Sequence, residues 1–205
     1  GVDVFDTGLS TTPAMFMSTI FDDFDADGAI MLTASHMPAN RNGMKFFYKG
    51  GGLDSNEIAQ VIDIAEREAF NHKPGGSITK SDLMSVYAEH LRNIIREKVD
   101  QEAVNPDLPL EELHVVVDAG NGAGGFFVDQ VLKPLGANTE GSQFLDPDGS
   151  FPNHIPNPEN EEAMASVCAA VVRAGADLGV IFDTDVDRAG CVDANGREIN
   201  RNRLV

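Results

Sequence analysis

Residues 178–190, "LGVIFDTDVDRAG", run from an apolar stretch into three aspartates at alternating positions, Asp183, Asp185 and Asp187, followed by Arg188. A short apolar run that ends in polar turn residues reads as a buried strand. Neighbouring carboxylates at the mouth of such a strand repel one another in a partly desolvated loop, so a positive partner is expected among them. The triplet offers only hard carboxylate oxygens, which suit Mg²⁺ far better than zinc or copper. An EF-hand calcium loop starting at Asp183 would need glycine at its sixth position and glutamate at its twelfth, where Arg188 and Ala194 stand.

The surrounding residues alternate between strand and helix. A strand in "LHVVVDAG", a helix in "GFFVDQVLKPLG", a strand over residues 137–144, a helix in "EEAMASVCAAVVRAG", the strand "ADLGVIFD" and a hairpin through "DANGRE" make a βαβ-type layered unit. In open α/β sheets the functional loops lie at the carboxyl ends of strands, and the aspartates fall at one such end. Upstream, the polar, two-proline segment "DQEAVNPDLPLEE" reads as a boundary. The expected organisation is α/β: two layered α/β domains with mixed sheets flanked by helices, residues 1–103 and 104–205.

The first of these opens with a helix in "STTPAMFMSTIF", which has cap residues and Pro13 in its first turn. "GAIMLTAS" reads as a buried strand and "MKFFYK" as a second. Two apolar stripes at helical spacing follow. Ile58, Val61, Ile62, Ala65 and Ala69 lie behind an Asp54/Glu57 capping box, and Leu83, Val86, Tyr87, Leu91, Ile94 and Ile95 lie beyond the break "KPGGS".

Composition limits what such a protein does. Over 205 residues, 42% are hydrophobic and 23% charged, an ordinary globular balance. A formal net charge of −18 argues against a nucleic-acid or anionic-membrane surface, so an anionic substrate would need a metal or a few placed cations. No apolar window is long enough to span a bilayer, and no signal-peptide pattern opens the chain. Cys168 and Cys191 lack metal-like spacing and read as reduced core thiols of a cytoplasmic protein. The chain opens on Gly1 and stops within "REINRNRLV", and the expectation is a piece of a longer one.

Three further motifs bear on chemistry. "DFDADG", residues 23–28, matches half of an EF-hand loop, but its twelfth position is Ala34 and it reads as a solvated turn entering a strand. "GNGAGG", residues 120–125, with Glu140 downstream, formally fits a dinucleotide fingerprint, although any tight strand-to-helix turn favours glycine. "TASHMPANRNGMK", residues 33–45, places Ser35 and His36 at the end of a strand with Arg41 and Lys45 close behind. A hydroxyl, an imidazole and cations together suit phosphoryl transfer.

Together these residues resemble the α-D-phosphohexomutase family, the phosphoglucomutases and phosphomannomutases. "TASHMPANRNGMK" is similar to the family's phosphoserine loop, usually TASHNP followed by NG and a lysine, and "FDTDVDR" to its metal loop, usually DGDxDR. "GLSTTPAMF" and "DPDGSFPNHIPNPEN" resemble two further family segments, and the order along the chain agrees. The resemblance implies a phosphoryl group on Ser35 and Mg²⁺ held by Asp183, Asp185, Asp187 and a phosphoryl oxygen on Ser35. It also implies Lys45 as general acid/base, His36 assisting, and Arg188 against the phosphoserine or substrate. The substrates implied are a hexose phosphate and a hexose bisphosphate, converted between 1- and 6-phosphates, with the remaining domains of a parent chain as partners. Met37 stands where the family usually has asparagine, and Thr184 and Val186 replace small residues of the metal loop. The family's Gly-x-Arg-Gly loop, sugar-recognition loop and C-terminal phosphate-binding domain have no counterpart in these residues, so mutase turnover is not expected from them alone. Two rivals remain at this point. One is a haloacid-dehalogenase-type phosphatase with Asp183 as nucleophile, and the other is a non-enzymatic metal-binding domain.

Overall fold

The computed structural model describes residues 1–38, 40–71, 73–99 and 105–200. The expected boundary between residues 103 and 104 lies outside the described residues. Before it come β1 (Val4–Asp6), α1 (Thr12–Met17), β2 (Gly28–Leu32), β3 (Met44–Tyr48), β4 (Gly51–Gly52), α2 (Ser55–Glu66), β5 (Ile78–Lys80) and α3 (Leu83–Lys98). After it come β6 (Val115–Asp118), a broken helical segment over residues 123–135, α4 (Glu161–Ala174), β7 (Leu178–Phe182) and β8 (Ala189–Asp193). Among the described residues no helix is long and apolar enough to cross a membrane.

Helix starts follow local chemistry. The Thr11 hydroxyl accepts from the Ala14 N–H at 3.2 Å, satisfying a first-turn donor of α1, and Pro13 needs no partner there. Asp54 and Glu57 close the expected capping box on α2. Asn160 caps α4 through the Ala163 N–H at 3.0 Å, and Gly175 ends that helix at φ 65°.

The sheet that carries the aspartates is mixed. β6 runs parallel to β7, and β7 pairs antiparallel with β8. Alternation along β6 divides its valines between two cores. Val115 and Val117 join Val128, Val131, Leu132, Leu135 and Phe182 on one face, with Leu91 and Ile95 of α3 packed against them. Val116 joins Met164, Val167 and Val171 of α4, together with Ile181 and Val192, on the other. Each fully buried Val or Ile side chain contributes roughly 1.5–3 kcal/mol of transfer free energy, so two covered faces anchor this sheet firmly.

The first unit holds a parallel β1–β5 pair and an antiparallel sheet in the order β2-β3-β4. β2, expected to be buried, is half exposed. Met31 is 8% exposed, while Ile30 and Leu32 are 53% and 74% exposed, because α1 packs against β2 and leaves the opposite face open. Two other expectations change. The helix expected in "GFFVDQVLKPLG" is a 3₁₀ turn (Ala123–Gly125), a π-helical turn (Phe127–Leu132) and a second 3₁₀ turn (Lys133–Leu135). Pro134 removes an N–H near its end, and Gly136 closes it at φ 93°. The strand expected over residues 137–144 is reduced to two bridges, His114 to Asn138 and Asp118 to Gln143, since a turn with Gly141 at φ 86° interrupts it. "DANGRE" does turn the chain back, with a bridge between Val192 and Glu198.

Gly179, in the middle of β7, marks the tightest approach of α4 to the sheet. A Cβ there would lie 2.4 Å from Val171 Cγ2 and 3.3 Å from Val167 Cγ2. Gly179→Ala is expected to cost about 1–3 kcal/mol through overpacking. A urea unfolding midpoint unchanged from the parent would show that α4 can move off the sheet.

Candidate active site

Two hairpin tips build the site. The chain leaving β2 closes its loop where Thr33 N–H donates to the Gly43 carbonyl at 3.0 Å, and Ser35 sits in this loop at φ 53°. The chain leaving β7 closes where Asp183 N–H donates to the Arg188 carbonyl at 3.2 Å while Arg188 N–H donates to Asp183 Oδ1 at 3.1 Å. Within that loop Val186, a β-branched residue, holds φ 64°. Left-handed backbone at non-glycine residues is uncommon and persists where surroundings enforce it, often at functional sites. A cleft of about 330 Å³ opens between the tips, with Ser35, Met37, Arg41, Asn121, Thr184 and Asp185 in its wall.

The three aspartates lie together, with one oxygen of each within 4.8 Å of the others. Asp183 is fully buried, and Arg188 donates to its Oδ2 from Nη2 at 2.9 Å and from Nε at 3.1 Å. Burial pushes Asp183 up to about 6, helped by the Asp185 and Asp187 charges and opposed by these Arg188 bonds. Asp185 is 2% exposed. Its Oδ2 accepts from Lys45 Nζ at 2.7 Å and from Thr12 Oγ1 at 2.5 Å, while Oδ1 is buried without a hydrogen-bond partner. Burial alone would raise this carboxyl, but the Lys45 and Thr12 bonds, the Lys45 charge and the nearby Thr33 hydroxyl outweigh it and hold Asp185 below the usual carboxylate range. Lys45 Nζ also donates to Asp187 Oδ2 at 2.6 Å. Burial would lower this ammonium, yet its two carboxylate partners keep it above its ordinary value.

The expected positive partner is therefore present twice, as Lys45 and Arg188, and one buried carboxylate oxygen is still unsatisfied. Leaving such an oxygen bare is costly. A hard divalent cation fits it, since Asp183, Asp185 and Asp187 supply only oxygen ligands.

Ser35, His36, Lys45, Asp183, Asp185, Asp187 and Arg188 lie together about the two tips, whereas Cys168, Cys191, Glu140 and residues 23–28 take no part in the contacts among them. Arg188 Nη2 reaches Ser35 Oγ at 3.5 Å, a long contact, and so bridges the two tips. Ser35 Oγ lies 3.3 Å from His36 Nδ1. The glycine cluster serves packing: Ala123 N–H donates to the Thr184 carbonyl at 2.9 Å, and a Cβ on Gly122 would lie 2.6 Å from that same oxygen. This turn braces the aspartate loop and leaves no space for a side chain between them.

Sequence reading missed several contributors. Asn157 accepts from Arg188 Nη1 at 3.3 Å, and Asn153 donates to Asn121 Oδ1 at 2.7 Å. Both belong to the segment "DPDGSFPNHIPNPEN", whose polar density was a usable signal. Between them His154 is 6% exposed and pairs with Asp118, itself fully buried, through Nε2 at 3.0 Å, while Nδ1 lies 3.0 Å from the Ile155 carbonyl. A carboxylate and a carbonyl accept, so these contacts favour a ring protonated at both nitrogens. Burial opposes that charge, but the Asp118 bond overrides it and holds His154 above its ordinary value of 6.5. A raised folded value means that this pair's stabilisation is complete below the unfolded value and is lost as pH rises through the folded one. NMR titration of the His154 ring is expected to give a midpoint above 6.5, with both ring nitrogens protonated below it; a neutral ring at pH 6 would contradict this assignment.

Comparison with known proteins identifies the family of this fold. Residues 85–196 match the family described as phosphoglucomutase/phosphomannomutase, alpha/beta/alpha domain II, and residues 1–72 match the corresponding domain I. A phosphoglucomutase/phosphomannomutase of Thermococcus kodakarensis is 38% identical over 203 residues, 97% of this chain and 42% of the relative. A phosphomannomutase of Salmonella typhimurium is 36% identical over 214 residues, 100% of this chain and 44% of the relative. The crystal structure of a phosphoglucomutase/phosphomannomutase family protein from Burkholderia thailandensis superimposes with a TM-score of 0.83 at 30% identity, covering 99% of this chain and 43% of that one. The chain thus spans less than half the length of these relatives. With both domain matches in order and the serine and aspartate tips facing one cleft, the chain belongs to the phosphoglucomutase/phosphomannomutase family.

Proposed function

We propose that this chain carries the phosphoryl-transfer centre of a hexose phosphate mutase, with Ser35 as the residue that bears the phosphoryl group and Asp183, Asp185 and Asp187 as the ligands of Mg²⁺. The observation that supports this best is the pairing of a strained serine tip with an aspartate tip in which the buried Asp185 Oδ1 has no partner. Bound there, the cation would supply Lewis-acid polarisation of a phosphoryl oxygen.

The chain's own residues account for the remaining requirements. Ser35 is a weak nucleophile on its own, and His36 Nδ1 lies 3.3 Å from its hydroxyl, in reach as a base. Arg188, held by Asp183 and Asn157, presents Nη2 to the serine and offsets negative charge on a phosphoryl group there. Lys45, kept protonated by two carboxylates, is suited to give a proton to a sugar oxygen and to take it back on the return step. A hexose phosphate and a hexose bisphosphate are the substrates this chemistry fits, and the names of the relatives agree with it.

The phosphatase alternative needs an accessible Asp183. That side chain is fully buried and both its oxygens accept from Arg188, which makes it a poor attacking group. Phosphopeptide mapping after incubation with a hexose 1,6-bisphosphate and Mg²⁺ separates the two readings. Label is expected on Ser35 and lost in Ser35→Ala; label on Asp183, or none, would remove the serine mechanism.

Because the chain spans 42% of the Thermococcus relative, complete turnover is not expected from these 205 residues alone. Conversion of glucose 1-phosphate to glucose 6-phosphate by the purified 205-residue chain, at a rate abolished by Ser35→Ala, would overturn that expectation.

A further inference from the structure

Thr12 lies 173 positions before Asp185 yet makes two bonds to it. Its backbone N–H donates to the Asp185 carbonyl at 2.9 Å, and its hydroxyl donates to Asp185 Oδ2 at 2.5 Å. The hydroxyl is not needed by its own helix, since Thr11 caps α1. The side chain is 7% exposed, so these bonds are shielded from water. Oδ2 accepts from both Thr12 and Lys45, whereas Oδ1 of the same carboxylate is buried and accepts from nothing. Oδ2 is engaged twice and Oδ1 is bare, an asymmetry that suits a single-oxygen ligand.

Lys45 does not explain that asymmetry alone. Its ammonium sits on a flexible stem, is 30% exposed and is shared with Asp187. Thr12 is short and β-branched, and its backbone is fixed in the first turn of α1. Its two bonds hold both the main chain and the carboxylate plane of Asp185.

We infer that Thr12 is a positioning residue of the cation site: its hydroxyl turns Asp185 so that Oδ1 faces the ion. The inference rests on the reading of the aspartate triplet as a divalent-cation site. It makes cation affinity depend on a helix of the first unit, although Asp183, Asp185 and Asp187 all belong to the second.

The test uses Mn²⁺ as the probe, with the unbound ion followed by electron paramagnetic resonance during titration of the full chain. Thr12→Val keeps the shape and removes the hydroxyl, while Thr12→Ser keeps the hydroxyl and removes a methyl. Thr12→Val is expected to weaken Mn²⁺ binding roughly 10–100-fold, the usual effect of losing an outer partner of a metal ligand, and Thr12→Ser is expected to restore it to within a few-fold of the parent. Thermal unfolding without Mn²⁺ accompanies each titration, and Thr12→Ala replaces Thr12→Val in the comparison if the valine variant does not fold. Equal affinity in Thr12→Val and the parent would overturn the role of Thr12 while leaving the cation site standing. Equal weakening in Thr12→Val and Thr12→Ser would overturn it as well, by assigning the effect to packing. A parent that binds no Mn²⁺ would remove the cation reading itself, and the role of Thr12 with it.

Discussion

The Asp185 carboxylate is the point on which the two units converge. Lys45 arrives from β3 and Thr12 from α1, while Asp185 itself projects from the tip after β7. A carboxylate this buried is tolerable only if its charge is met, and the donors that meet it come from the other side of the cleft. The Asp185 carboxylate thus joins the β6-β7-β8 sheet to α1 and β3, beside the apolar contact that α3 makes with the same sheet. The serine tip is brought opposite the aspartate tip as a result, and Arg188 spans what gap is left.

The two tips are built alike. Each joins antiparallel strands, each is closed by a backbone hydrogen bond at its neck, and each contains a non-glycine residue in left-handed conformation, Ser35 or Val186. Such backbone is supported from outside. The Gly122–Ala123 turn presses on Thr184 from one side, and the segment around His154 steadies Arg188 through Asn157 on the other. The buried Asp118–His154 pair, with Gln143 also donating to Asp118 at 2.7 Å, ties that segment back to the end of β6. Adjacent parallel strands thus deliver their carboxyl ends to one place, as open α/β sheets do.

Much of this was legible in the residues. The apolar runs over Val115–Val117 and before Asp183 mark strands that the structure covers on both faces, and the Asp54/Glu57 pair announces a helix start that the structure contains. The serine, the lysine, the arginine and the aspartates that the structure gathers each belong to a local pattern with a chemical reason. What stayed hidden is non-local. Nothing near Thr12 indicates a partner 173 positions away, and an aspartate and a histidine 36 positions apart do not announce a buried ion pair. The helix over residues 125–136 was misread for a different reason: its apolar spacing suits an α-helix, but Pro134 and the packing of Phe127 against Phe182 favour irregular turns. The half-exposed β2 shows the limit of an apolar run as a sign of burial, since hydrophobicity does not say how many faces a sheet has covered.

Asp183 and Arg188 are bonded to each other through main chain and side chain, and the β7–β8 pairing resumes immediately outside them at Phe182 and Ala189. The number of residues between them is therefore set by closure of a ring. An inserted or deleted residue would break that closure, or slip β8 by one position and turn Val192 from the core to the opposite face. Side chains at positions 184 and 186 are free of that arithmetic. Exchange of residue type in this loop therefore leaves the strand register intact, whereas a change in its length does not.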